Sequence, residues 1–168
     1  TSLEAMESVE QCVVCPVGTS CAVGSREPTD CAAGTFASTV GMPSCTRCEE
    51  GYFQNETQGT ACHPCMAGHW CSAAQEIPCS ENTYNPNPRA HLITNCTRCP
   101  ERTDTIRLDA RTSIDQCSCQ EGFYVAPADH AEGREECLER CCTCPVGTSC
   151  TYGSISLASL PLERGYFR

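Results

Sequence analysis

The chain has 168 residues, 19 of them cysteine, and a formal net charge of −10. Leu, Ile, Val and Phe together number only 24, a composition that without the cysteines would leave the chain disordered. This argues against one large hydrophobic core, and the acidic balance argues against a nucleic-acid partner, which needs clustered positive charge.

Crosslinks must therefore stand in for burial, each closed loop of ~15 residues contributing about 3 kcal/mol in the chain-entropy model. Disulfides persist in oxidising compartments, so the expected location is extracellular or at the cell surface, reached through the secretory pathway. Neither a secretory signal nor a long apolar run is present, and no direct membrane insertion is expected of this segment. All 11 basic residues are Arg, a bias with no physical rationale in the sequence.

Glu7-Ser8-Val9-Glu10-Gln11-Cys12 parallels Thr112-Ser113-Ile114-Asp115-Gln116-Cys117. Cys12 thus reads as closing a loop whose first cysteine lies upstream, and is expected to be unpaired within the chain. A tight step, Cys15-Pro-Val-Gly-Thr-Ser-Cys21, follows and completes a first segment, 1–30. Two 17-residue units come next, from Cys31 to Cys48 and from Cys48 to Cys65. Each reads Cys-x-x-Gly-(Thr/Tyr)-aromatic, a polar stretch, then Cys-x-x-Cys, with Gly41 and Gly59 where a two-stranded ribbon should turn. The step Cys65-Met-Ala-Gly-His-Trp-Cys71 completes segment 31–78.

Segment 79–118 holds two longer units. Asn82-Thr83-Tyr84 replaces the Gly-led signature in the first, and Cys117-x-Cys119 closes the second. Segment 119–150 opens on Cys119 with Gly122-Phe123-Tyr124 and ends in a second Cys-Pro-Val-Gly-Thr-Ser-Cys step, 144–150. Segment 151–168 reads as the start of a following unit, Gly165-Tyr166-Phe167 echoing Gly51-Tyr52-Phe53. Both ends are thus expected to be internal to a longer protein.

Units this short cannot bury a core alone and are expected to stack end to end. The predicted fold class is small and disulfide-rich: an elongated tandem array of short two-stranded β units, with strands of two to four residues and little helix. The best helix candidate is 133–141. Aromatics after each glycine are expected to lie across a disulfide as tiny local cores.

The repeat phase suggests sequential pairing: Cys31–Cys45, Cys48–Cys62, Cys79–Cys96 and Cys99–Cys117, with the steps closing as Cys15–Cys21, Cys65–Cys71 and Cys144–Cys150. Aligning the two identical steps places Cys141 opposite Cys12, which assigns Cys119–Cys141 and leaves Cys137–Cys142. Connectivity does not follow from sequence alone, and a nested scheme with Cys12–Cys21 and Cys15–Cys31 stays open.

Cys45-x-x-Cys48 and Cys62-x-x-Cys65 have the spacing of a four-thiolate zinc site. The same phase runs on beyond four ligands, so these cysteines read as rungs of a disulfide ladder, and neither a metal nor a cofactor is expected. A redox Cys-x-x-Cys would open a helix beside a sheet, a pattern not found here. Asn55-Glu56-Thr57 and Asn95-Cys96-Thr97 fit the N-glycosylation rule, Asn55 at a polar loop tip being the better acceptor and an N-linked glycan the expected modification. His63, His69, His91 and His130 are scattered and read as surface residues. The acidic run 132–139 reads as a solvated face, and Trp70 as packing on a neighbouring unit. No nucleophile–base set or phosphate loop marks an enzyme.

The unit Cys-x-x-Gly-(Thr/Tyr)-(Phe/Tyr)…Gly…Cys-x-x-Cys, over residues 12–150, resembles the ephrin-receptor-like and epidermal-growth-factor-like class of cysteine-rich repeats. Its opening is also similar to tumour-necrosis-factor-receptor cysteine-rich domains, although those interleave their pairs where this chain's phase favours sequential ones. The Cys-Pro-Val-Gly-Thr-Ser-Cys step and residues 160–168 resemble segments of large algal and protist surface proteins. The resemblance implies an extracellular stalk. The expected function is a structural or interaction segment of a secreted or surface glycoprotein, a disulfide-laddered rod assembling with other copies or domains into an extracellular filament or flagellar hair. The alternative is a receptor or adhesin ectodomain that binds a protein or carbohydrate, for example near Trp70 and Tyr84.

Overall fold

A computed structural model describes residues 13–126, 137–138, 140–151 and 155–166. Its regular structure is a series of short antiparallel sheets. Strand β1 (Thr19–Ser20) pairs with β2 (Thr29–Asp30), β3 (Thr35–Phe36) with β4 (Thr46–Arg47), and β5 (Tyr52–Phe53) with β6 (His63–Pro64). Strand β7 (His69–Ser72) pairs with β8 (Gln75–Pro78), β9 (Thr83–Tyr84) with β10 (Thr97–Arg98), and β11 (Thr103–Asp104) with β12 (Ser118–Cys119). A three-stranded sheet sets β15 (Cys141–Thr143) between β13 (Phe123–Val125) and β14 (Cys137–Leu138). The fold is a small disulfide-rich one made of β-hairpins, with single turns of 3-10 helix among the described residues at Ile93–Asn95, Ile114–Gln116 and Leu157–Ser159.

One local motif starts every hairpin. After the opening cysteines Cys15, Cys31, Cys48, Cys65, Cys79, Cys99, Cys119 and Cys144, the fourth residue from the cysteine donates its N–H to the carbonyl of the first. Examples are Thr35 N–H to Ala32, Tyr52 to Glu49, Phe123 to Gln120 and Thr148 to Pro145. The residue between, third from the cysteine, has a positive φ in all eight: Gly18, Gly34, Gly51, Gly68, Asn82, Arg102, Gly122 and Gly147. A four-residue turn with φ > 0 at its third position is the type II signature, which explains why glycine dominates there. Threonine next in line adds a second bond to the same carbonyl, as Thr35 Oγ1 does to Ala32 O at 2.7 Å and Thr103 Oγ1 to Pro100 O at 2.6 Å. The Gly-Thr signature is thus a turn held twice. Two of the three tight steps share it through Thr19 and Thr148, whereas His69 takes the place of threonine in Cys65–Cys71.

The chain then returns so that the next opening cysteine closes the hairpin. Cys48 N–H donates to Gly34 O, Cys65 to Gly51 O, Cys79 to Gly68 O and Cys99 to Asn82 O. The hairpin from Cys99 differs by one residue. There Thr103 lies opposite Cys119, and Gln120 rather than Cys119 donates to Arg102 O. The cause is the Cys117-x-Cys119 spacing, one residue shorter than Cys-x-x-Cys, which shifts the register by one.

Adjacent hairpins are joined through their backbones. Gly18 N–H donates to Ala37 O, Cys21 N–H to Met42 O, and Gly41 N–H to Cys15 O. The next pair repeats the set as Gly34 to Gln54, Ala37 to Gly59, and Gln58 to Cys31. Gly68 to Asn85, Asn85 to Arg111, Ala110 to Cys79, Gly122 to Cys150 and Val125 to Ile155 continue it. Gly41 is in the left-handed region, as a turn requires, whereas in the neighbouring hairpin the positive φ falls on Gln58. Gly59 is needed instead for space, since a Cβ there would run into the Gln54 side chain.

The chain divides into two compact units. One takes the chain up to Cys65 together with Cys71–Glu76; the other takes Met66–Trp70 and the residues from Ile77 on. In the first, the buried side chains are mainly cystines with Ala37, Thr19 and Gln54. In the second, Tyr124, Ala126, Cys142, Cys150 and Leu160 cluster, with Cys137, Cys144 and Ile155 packed against them. Tyr124 is the aromatic that forms the local core expected around cystine. Phe36, Tyr52, Phe53, Trp70, Tyr84 and Phe123 remain half-buried.

The expected helix at 133–141 is corrected where the chain is described. Cys137–Leu138 is strand, paired as Cys137 with Cys142 and Leu138 with Cys141. The Cys137–Cys142 disulfide joins residues that face each other across this ladder, which overrides the helical propensity of the intervening Glu and Arg.

The opening turn separates two costs of adding a side chain. A Cβ at Gly122 meets nothing within 4 Å, whereas one at Gly18 runs into the Gln58 carbonyl. Gly122→Ala should cost only the left-handed backbone term, about 1 kcal/mol, and Gly18→Ala at least twice that. Hydrogen exchange on the disulfide-intact protein checks this: Gly18→Ala should deprotect the Cys31 and Gln58 amides, and Gly122→Ala should leave those two unchanged.

Candidate functional site

Nine disulfides are formed among the described residues. Cys31–Cys45, Cys48–Cys62, Cys79–Cys96, Cys99–Cys117 and Cys119–Cys141 close loops with sequence separations of 14, 14, 17, 18 and 22 residues. Their Cα–Cα distances are 5.6 to 5.8 Å, the usual range for cystine. Cys15–Cys21, Cys65–Cys71 and Cys144–Cys150 each span six residues, and Cys137–Cys142 spans five. Each bond stays inside its own hairpin or sheet. The nested alternative is absent, because Cys15 is joined to Cys21 and Cys31 to Cys45. Cys12 lies outside the described residues.

This framework decides the zinc question locally. Cys45 is bonded to Cys31, Cys48 to Cys62, and Cys65 to Cys71, three disulfides in all, so none of the four is a thiolate. The tightest grouping of metal-type ligands among the described residues is Cys65, Cys71 and Glu76. Two of its three members are one disulfide, leaving a single carboxylate.

The framework also shows a role that sequence reasoning missed. The sixth residue after each opening cysteine sits where hairpins meet. In the tight steps it is the second cysteine, Cys21, Cys71 or Cys150. Elsewhere it is Ala37, Gln54, Asn85, Thr105 or Val125; the first four are 0%, 6%, 1% and 1% exposed, and Val125 is half-buried. The polar three are fully occupied there. Gln54 Nε2 donates to Ala61 O at 2.8 Å and its Oε1 accepts from Glu56 N at 3.1 Å. Asn85 Nδ2 donates to His69 O at 2.9 Å and its Oδ1 accepts from Asn87 N at 3.1 Å. Thr105 Oγ1 accepts from Asn82 N, and Asn82 Oδ1 accepts in turn from Thr105 N. The signal was present as a column in the repeat: the sixth position after each opening cysteine, filled by Cys, Ala, Gln, Asn, Thr or Val.

Asn55 is exposed, as are Glu56 and Thr57. Asn95 is exposed too, but it ends a 3-10 turn, its Oδ1 accepts from Leu92 N at 3.0 Å, Cys96 is bonded to Cys79, and Thr97 belongs to β10. The two acceptor sequences therefore differ in how much folded structure surrounds them. His63 and His91 are exposed; His69 is half-buried with Nδ1 3.3 Å from Ala67 O. His130 and most of the acidic run lie outside the described residues. In the first unit a 320 Å³ groove is lined by Phe36, Arg47, Glu49, Tyr52 and Ala61, among others. No helix of the described residues is long and apolar enough to cross a membrane.

No protein-family model matches this chain. No curated protein matches it.

Two substitutions probe these sites. Asn85→Leu removes a buried amide and strands the His69 carbonyl and the Asn87 N–H, at a cost of about 2–4 kcal/mol. It should accelerate exchange of the Asn85 and Gly68 amides by at least tenfold, where a surface role would leave them unchanged. After expression through a eukaryotic secretory pathway, Asn55→Gln should abolish most of the mass removed by a peptide-N-glycosidase, and Asn95→Gln should remove little of it.

Proposed function

We propose that the chain is a structural and interaction segment of a secreted or cell-surface glycoprotein, built from ephrin-receptor-like or epidermal-growth-factor-like repeats that assemble with other copies or domains into an extracellular filament. The observation that carries this reading is the repeated junction. Hairpin after hairpin presents the same N–H and C=O groups to its neighbour, Gly18 to Ala37 and then Gly34 to Gln54, a connection that can be reiterated without limit and needs no ligand. Nine disulfides suit a secreted or extracellular setting, and the net charge of −10 keeps such a surface soluble.

A receptor or adhesin ectodomain is the second reading, favoured by the groove of the first unit. Phe36 and Tyr52 offer aromatic faces there, with Arg47 and Glu49 beside them, a combination suited to a sugar ring or a short peptide.

Immunogold electron microscopy of the native source separates the two. Label repeating along fibres supports the filament. Label dispersed over the membrane, together with ligand capture that is lost in Tyr52→Ala, supports the receptor.

A further inference from the structure

We propose that this chain is a mechanical tether of nearly fixed length, in which tension passes along a short covalent path and by-passes most of the residues. The inference deepens the structural reading above, and rests on it for biological meaning, but the property itself belongs to the disulfide topology.

Consider residues 31–65 of the first unit. The chain can be followed from Cys31 across its disulfide to Cys45, a Cα–Cα step of 5.6 Å, then through Thr46 and Arg47 to Cys48. A second disulfide crosses to Cys62 in 5.8 Å, and His63 and Pro64 lead to Cys65. Fully drawn out, this path is roughly 30 Å long, whereas the same residues without disulfides would reach roughly 115 Å. The bulk of each hairpin, including β3, β5 and their loops, hangs off the path and carries no tension.

The same holds along the chain. Cys65–Cys71, Cys79–Cys96, Cys99–Cys117, Cys119–Cys141 and Cys144–Cys150 each shorten the path; the links between them contain only one or two residues except 72–78, between Cys71 and Cys79. The sequential pattern is what matters. A nested pattern would leave hairpins joined to each other covalently and make the junctions rigid. Here the junctions carry backbone hydrogen bonds, such as Gly34 to Gln54 and Gln58 to Cys31, and no disulfide among those described spans one. A junction can therefore part under load and re-form, while the hairpins on either side cannot unravel. The Cys-x-x-Cys phase that looked like a metal site sets the length of the links at Cys45–Cys48, Cys62–Cys65, Cys96–Cys99 and Cys141–Cys144.

Single-molecule force spectroscopy tests this on the full 168-residue chain, with handles attached at the termini by non-cysteine chemistry and the Cys12 thiol alkylated. In oxidising buffer, stretching should end at a contour roughly 300 Å shorter than in the same protein reduced with a phosphine, and the extension should be recovered on relaxation. A Cys48→Ser/Cys62→Ser variant should lengthen the oxidised contour by roughly 40 Å. An oxidised contour equal to the reduced one would overturn the proposal, and the wild-type comparison decides this even if the variant does not fold. Fixed length in the trap combined with no fibres in the native source would leave the tether standing and remove the filament reading. Free extension of the oxidised chain beside native fibres would do the reverse.

Discussion

A loop of sequence separation 14, closed by Cys31–Cys45, is too short to bury a hydrophobic core, so the bond that closes it has to supply most of its stability. Closing the loop makes the first and last residues of the hairpin neighbours before any packing occurs. The type II turn after Cys31 then needs only its own N–H···O=C bond, and the two-residue strands β3 and β4 need only to align. Strands this short do not persist alone in water. The disulfide lowers the entropy of the unclosed state enough for them to form.

From that constraint follows the way hairpins meet. Outside the Tyr124–Leu160 cluster, where Val125 takes the junction position, there is no core to share, so hairpins are joined by backbone groups and the residue at the junction is small or hydrogen-bonded. Ala37 meets the first condition, Gln54, Asn85 and Thr105 meet the second, and Cys21, Cys71 and Cys150 meet the first while tying back to their own opening cysteine. Buried polar side chains are tolerated because each finds main-chain partners that would otherwise be unpaired. The same design leaves many apolar side chains outside, among them Val23, Val13 and Val146.

Much of this was legible from phase. Cystine is written in the sequence as a period, and the hairpins and brief strands follow from it, because a Cys-x-x-Gly turn and a Cys-x-x-Cys closure leave the chain little else to do. Aligning 144–150 with 15–21 pointed Cys141 to Cys119 and left Cys137 with Cys142, the partners found in the structure. What was not legible depended on neighbours distant in sequence. The burial of Asn85 is decided by His69 and Arg111 from adjoining hairpins. The strand at Cys137–Leu138 is decided by its partner β15, where local composition favoured helix. The groove beside Tyr52 arises from how two hairpins sit together, which no single repeat encodes.

Every hairpin depends on a disulfide that closes it on itself, and peptide mapping of the non-reduced protein is the direct test of that closure. Proteolysis with thiols blocked at acidic pH should release linked pairs containing Cys15–Cys21, Cys31–Cys45 and Cys48–Cys62. A linked peptide joining Cys15 to Cys31, or Cys45 and Cys48 recovered as free thiols with bound zinc, would contradict it.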